Sequence, residues 1–143
     1  MQPVVFLRGD PKQHGAAVPR RFLQVLAGSD ERGYADDGRL QLARAIASPD
    51  NPLTSRVIVN RVWQHHFGTG LVATADDFGL TGEAPSHPGL RDYLAAWFIE
   101  QGWSLKSLHH HIMTSETWRQ SSRRNSAALE LDAGNRLLWR MTP

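Results

Sequence analysis

The stretch NPLTSRVIVNRVWQHHFGTG, residues 51–70, decides the fold of this protein. Asn51 and Pro52 form a favoured helix start and Gly68 a favoured stop, so the stretch predicts a helix over about 52–67. The apolar side chains that cover most of its helical wheel are Leu53, Val57, Ile58, Val59, Val62, Trp63 and Phe67. A helix that is apolar almost all round is buried, and we therefore expect it at the centre of the fold.

Three polar side chains, Arg56, Asn60 and Gln64, form an i, i+4, i+8 row inside this apolar sector. Buried polar groups require partners, and the nearest acids along the chain are Asp76 and Asp77 in the following loop. We predict that Arg56 makes a bidentate bond to one of these aspartates. The five residues would then form a structural polar network that ties the loop to the helix.

Three further helices are predicted around the central one. Asp36 or Asp37 can cap a helix over about 37–48, in which Leu42 and Ile46 lie one turn apart. Apolar residues at i, i+3, i+4, i+7 and i+8 predict an amphipathic helix over 88–101, and a second amphipathic helix follows over 104–114.

The N-terminal region has a different pattern. Residues 3–8, PVVFLR, predict an extended arm without an obvious partner strand, and residues 9–35 predict irregular structure. The sequence thus predicts a mainly α, compact helical domain with an extended N-terminal arm. By length, residues 1–143 form a single domain.

Composition excludes several classes of protein. The chain has no cysteine, so disulfides, thiolate metal sites and cysteine nucleophiles are excluded within it. No apolar run approaches the ~20 residues of a membrane span. The formal net charge is +2 and the arginines are spread between acids, so we expect no nucleic-acid binding.

The histidines predict no metal site, because none follows a known ligand spacing. One alternative is a site assembled from His66, His109 and an aspartate. We favour core imidazoles that each bond one nitrogen to a carbonyl oxygen, and we predict neither a metal nor a cofactor in this chain.

Candidate catalytic residues occur in one region, around residues 61–77. Arg61 and His65 fall in the polar sector of the central helix, and Asp76 and Asp77 follow in the loop. Neighbouring aspartates can act as a general acid and base, although in a loop they more often cap helices or pair with arginines.

Four segments carry a resemblance to a known family: NPLTSRVIVNRVWQHHFGTGLVATADDFG, GEAPSHPGLRDYLAAWF, GWSLKSLHHHIMTSETWRQSS and NRLLWR. They resemble the family catalogued as domain of unknown function 1553, a C-terminal module of large planctomycete-type proteins. The resemblance implies partner domains in the parent chain, often including a cytochrome-c-like domain, and an exported or cell-envelope location. It also implies a continuation beyond Trp139 and Arg140, so we expect a fragment truncated at its C-terminus. The family supplies no catalytic residues.

Two functions follow from these observations. The first is a helical interaction or scaffold module of a larger multidomain protein, without catalysis of its own, whose partners are the other domains of the parent chain. The alternative is a metal-assisted or acid-base hydrolase acting on carbohydrate, with His65, Asp76, Asp77 and Arg61 as its catalytic residues.

Overall fold

The computed structural model describes residues 3–27, 33–34 and 38–142 and is mainly α-helical, as predicted. Its strands are β1 (Val4–Phe6) and β2 (His14–Ala17). Its helices are α1 (Gln24–Ala27), α2 (Arg39–Ile46), α3 (Thr54–Phe67), α4 (Pro88–Glu100), α5 (Leu105–Met113), α6 (Glu116–Arg119) and α7 (Ser126–Leu131). Within these described ranges, none of the helices combines the length and apolar character that crossing a membrane requires.

The chain divides into two compact units, Met1–Pro52 and Leu53–Pro143. In the first unit, β1 and β2 pair as an antiparallel hairpin. The N-terminal arm is therefore extended, but the expectation that it lacks a partner strand was wrong. The sequence of β2, HGAA, has low β propensity, so the sequence alone did not indicate a strand. Its extended conformation is stabilised by pairing with β1.

Helix α2 also belongs to the first unit and is shorter than the predicted 37–48. It begins after Gly38, while the proposed caps Asp36 and Asp37 lie outside the described residues. Asn51 does not occupy the N-cap position of α3, which is Leu53, and instead donates to the carbonyl oxygens of Ala45 and Ile46. The prediction of one domain for the whole chain stays a prediction.

In the second unit, α3, α4 and α5 pack against one another. The buried apolar core consists of Val59, Val62, Trp63, Phe67, Leu71, Leu94, Phe98, Leu108 and Ile112. Each such side chain, fully buried, contributes about 1.5–3 kcal/mol from the hydrophobic effect. Of the described helices, α3 contributes the most buried residues, so it is the central helix that its sequence predicted.

The ends of the helices in this unit follow from local signals. Ser104 caps α5 by accepting a hydrogen bond from the N–H of Ser107. Gly68 ends α3 at a φ of +83°, a conformation that glycine adopts without steric cost. Helix α3 ends at Phe67 and α4 begins at Pro88. We call the segment between them, residues 68–87, the α3–α4 loop.

Candidate functional site

The α3–α4 loop is anchored to the core by Asn60, whose side chain is fully buried. Its amide nitrogen donates to the carbonyl oxygen of Val72 at 3.0 Å, and its amide oxygen accepts from the N–H of Val72 at 2.8 Å. Gly70 lies directly against this amide, because a Cβ at that position would come within 2.8 Å of both amide atoms. The side chain of Asn60 thus supplies the hydrogen bonds that the buried backbone groups of Val72 require.

Further along the loop, side chains bond to backbone groups and set its shape. The hydroxyl of Thr74 donates to the carbonyl oxygen of Asp77 and accepts from the N–H of Glu83. The N–H and the hydroxyl of Ser86 both donate to the carbonyl oxygen of Leu71, which closes the base of the loop. Loops of this length without regular structure are commonly functional, and here the hydrogen bonds hold one conformation.

A second braced segment, residues 132–142, is called the C-terminal loop. The side chain of Asn135 is buried, donates to the carbonyl oxygen of Arg140 at 2.8 Å and accepts from its N–H at 3.2 Å. The carboxylate of Asp132 accepts from the N–H groups of Arg136 and Leu137. This repeats the arrangement at Asn60, since a buried amide again exchanges two bonds with one residue of a loop.

The C-terminal loop contains two non-glycine residues with left-handed backbone, Asn135 at φ +54° and Leu138 at φ +57°. Asparagine tolerates this region, but for leucine it is uncommon and costs about 1–2 kcal/mol. The conformation of Leu138 persists because its carbonyl oxygen accepts from the side chain of Gln120 and its N–H donates to Asn135. Backbone held in such a conformation by its surroundings is a feature of binding sites.

The two loops enclose a cavity of about 440 Å³, which we call the inter-loop cavity. Its volume is in the range of small-molecule sites. It is lined by Trp63, Phe67, Gly68, Thr69, Gly70, Leu71, Ala73, Glu83, Ala84, Ser86, Gly134, Asn135, Arg136, Leu138, Arg140 and Thr142. Trp63 and Phe67 are stacked, with ring centres 4.1 Å apart. The cavity therefore combines an aromatic wall from α3 with charged groups from both loops.

The predicted catalytic residues do not line this cavity. Arg61 donates to Asp76 at 3.3 Å, and their side chains are 59% and 91% exposed. His65 is exposed as well. Charged groups this accessible to water lack the dry surroundings in which electrostatic catalysis is strong.

Asp77, the fourth candidate, holds the turn that follows it. Its carboxylate accepts from the hydroxyl of Thr81 at 2.6 Å and from the N–H of Gly79 at 2.8 Å. These two bonds lower the pKa of Asp77 below its usual value. A general acid requires a raised pKa, so the environment of Asp77 is unsuited to that role.

The structure corrects the predicted partner of Arg56, whose Nε donates to Asp92 on α4 at 2.8 Å. The bond from Arg56 is the main cause that lowers the pKa of Asp92, and Arg91 adds to it. Arg56 lies near the start of α3, roughly 16 Å by helical rise from its last residue, where the loop departs. The α3–α4 loop instead bonds α3 at Asn60, through Val72, and at Arg61, through Asp76. Gln64 is half-buried, and its carbonyl oxygen accepts from the N–H of Gly68.

The structure brings His66 of α3 and His109 of α5 together, with Nε2 of His66 2.8 Å from Nδ1 of His109. We expected one nitrogen of each ring to bond a carbonyl oxygen. This was wrong for Nε2 of His66 and Nδ1 of His109, which bond each other. Burial, together with the nearby charges of His109 and His65, lowers the pKa of His66. Among the described residues no third acidic or histidine side chain joins them to form a metal-binding group.

The chain was compared with models of known protein families. Residues 38–143 match the family PSD1, described as a protein of unknown function (DUF1553). The chain belongs to this family. Comparison with curated proteins and with solved structures gave no match.

The matched segment contains both braced loops, all of α3 and every residue that lines the inter-loop cavity. Within it, sequence reasoning found Asn60 as a buried polar residue but missed Asn135. The available signal was a single asparagine directly before an apolar run, NRLLW, where a buried amide can brace a turn. The cavity itself had no local signal, because its walls are separated along the chain.

Proposed function

We propose that this chain is a non-catalytic helical interaction module of a larger protein and that it binds through the inter-loop cavity. The observation that carries the proposal is the chemical content of that cavity. Its titratable lining residues are Glu83, Arg136 and Arg140, with one carboxylate and no histidine. Acid-base catalysis commonly uses two titratable side chains whose pKa values differ, such as two carboxylates. The described lining residues of the cavity contain no such pair.

The polar residues outside the cavity support the same proposal. Asn60 and Asp77 shape the α3–α4 loop, and Asp92 takes hydrogen bonds from two arginines. Each of these side chains makes bonds that hold elements of the second unit together. The resemblance noted from the sequence supports other domains of the parent chain as partners, and an exported or cell-envelope location.

Binding at the cavity is tested by narrowing it. A Cβ added at Gly134 meets no atom within 4 Å, so Gly134→Leu adds a side chain at the cavity wall without a backbone clash. The matched control is Gly89→Leu, where the added Cβ also meets nothing and the residue does not line the cavity. Indole, benzyl alcohol and benzoate serve as probes, and the indole N–H signal of Trp63, assigned with Trp63→Phe, reports binding by NMR.

We expect at least one probe to shift the Trp63 signal saturably, with binding weakened by Gly134→Leu and unchanged by Gly89→Leu. Equal binding by both variants would contradict the assignment of the cavity. Catalysis is tested separately by release of reducing ends from dextran and dextran sulfate. Release by the wild-type protein that disappears in Asp76→Asn or His65→Ala would overturn the non-catalytic proposal.

A further inference from the structure

We propose that the inter-loop cavity binds a carboxylate attached to an apolar body, with the carboxylate on Arg140 and Arg136 and the body on Trp63, Phe67 and Leu138. This inference rests on the proposed function, because it names the class of ligand for the same cavity.

The charges that line the cavity are the first reason. The charged lining residues are two arginines, Arg136 and Arg140, and one acid, Glu83. Within the described residues none of the three forms an ion pair. Four other described arginines of this unit pair with carboxylates: Arg56, Arg61, Arg91 and Arg119. The lining therefore carries a net positive charge with two guanidinium groups available, and guanidinium matches the planar, two-oxygen geometry of a carboxylate.

The side chain of Arg140 is the second reason. Its Nε is closed to solvent and has no hydrogen-bond partner among the described residues. Its guanidinium carbon lies 5.3 Å from the ring centre of Trp139, so the side chain leans on an indole face. A buried donor without an acceptor is unfavourable, and no described protein group accepts from this one. Arg140 also lines the cavity, so a ligand oxygen placed there is the acceptor that Nε lacks among the described residues.

The shape and polarity of the cavity are the third reason. Trp63 and Phe67 line the cavity, are each 4% exposed and stack on each other with ring centres 4.1 Å apart. The left-handed backbone of Leu138, a third apolar residue of the lining, is held by bonds from neighbouring segments. These walls exist before a ligand arrives, which favours a rigid apolar body over a fully hydrated ion.

The proposal is tested by titrating the whole chain with benzoate, acetate and benzyl alcohol while following the Trp63 indole signal. Benzoate carries both parts of the ligand, acetate only the acid and benzyl alcohol only the ring. We expect benzoate to bind at least tenfold more tightly than either partial probe. Because a charge-assisted hydrogen bond is lost, Arg140→Gln should weaken benzoate binding by roughly tenfold to a hundredfold.

Controls separate charge at the cavity from charge elsewhere and from misfolding. Arg123→Gln removes an exposed arginine that does not line the cavity and should leave the affinity for benzoate unchanged. Arg136 is exposed, so Arg136→Gln should fold normally and still weaken benzoate binding. If Arg140→Gln does not fold, Arg136→Gln decides the question.

Equal affinity for benzoate and benzyl alcohol would overturn the proposal, as would unchanged benzoate binding in the folded arginine variants. Either result leaves a cavity that binds, so the proposed function would stand. If no probe binds the cavity at all, both proposals fail.

A carboxylate attached to an apolar body can belong to a free organic acid or to the C-terminal residue of a partner domain. Acetyl-glycyl-phenylalanine and its C-terminal amide distinguish them. Tighter binding of the free-acid peptide than of benzoate, with loss in the amide, would support a chain terminus. Tighter binding of benzoate would support a small acid.

Discussion

At the scale of single residues, buried amides carry much of the architecture of this unit. Asn60 and Asn135 each exchange two hydrogen bonds with the backbone of a loop. An amide suits this position because it offers a donor and an acceptor without a charge to desolvate. Aspartate at the same position could accept a bond but could not return one to the carbonyl oxygen.

Asn60→Ala should lower the free energy of unfolding by about 2–4 kcal/mol, because it leaves a cavity and removes the partners of the N–H and C=O of Val72. Urea unfolding followed by tryptophan fluorescence measures the change. Asn125→Ala is the matched control, since Asn125 caps α7 on the surface and its loss should cost about 1 kcal/mol or less. Equal losses for the two variants would show that the Asn60 brace is unimportant.

Gly70→Ala should be destabilising by about 1–3 kcal/mol, because the added Cβ would lie 2.6 Å from the carbonyl oxygen of Val72 and against the amide of Asn60. Gly89→Ala is the control, since its Cβ meets open space within helix α4. There the change should be neutral or stabilising by up to about 1 kcal/mol. Thermal unfolding of both variants distinguishes a steric requirement for glycine from a general effect of adding a methyl group.

At the scale of elements, the helices of the second unit are joined by polar contacts at the margins of the apolar core. Arg56 links α3 to α4 through Asp92, and His66 links α3 to α5 through His109. Tyr93 on α4 contacts His111 on α5, which also stacks on Trp97 at 4.3 Å. His111 is half-buried, because Tyr93 and Trp97 of α4 cover it.

The histidine pair between α3 and α5 should make stability depend on pH. The ordinary pKa of histidine, which His66 has in the unfolded chain, is about 6.5, whereas the pKa of His66 in the folded protein is lower. Below that unfolded value the unfolded chain therefore binds more protons than the folded one. The contribution of His66 to the free energy of unfolding should be fully present above pH 6.5 and should decrease as the pH falls below that value. It should stop decreasing once the pH lies below the pKa of His66 in the folded protein.

The measurement is the free energy of unfolding in urea between about pH 7 and 5, the range in which histidine titrates. His66→Gln should show a smaller loss across this range than the wild-type protein does. His110→Gln, which changes an exposed histidine on α5 next to His109, should keep the wild-type loss. The same pH dependence in all three proteins would rule out His66 as its source.

At the scale of the whole molecule, the core and the candidate site lie in one unit. All residues of the apolar cluster, and all residues that line the inter-loop cavity, belong to Leu53–Pro143. All five tryptophans are also in this unit, so tryptophan fluorescence reports on it alone.

A fragment of residues 51–143 should unfold in urea with the same midpoint as the whole chain, because every described residue of the apolar core lies within Leu53–Pro143. Tryptophan fluorescence gives the midpoint for both proteins. A markedly lower midpoint for the fragment would instead support the single domain that the sequence predicts. Circular dichroism of the fragment provides the control that its helices are formed.

The sequence by itself determined the four longer helices, α2 to α5, and their order, because the spacing of apolar residues, the capping serine Ser104 and the stop at Gly68 act within a few residues of chain. It also determined that α3 is buried and that Asn60 needs a partner. Only the tertiary structure decided which partners meet: Asp92 with Arg56, His109 with His66, and the two loops around the cavity. These choices depend on how helices and loops pack, and the two bonded side-chain pairs are 36 and 43 residues apart along the chain.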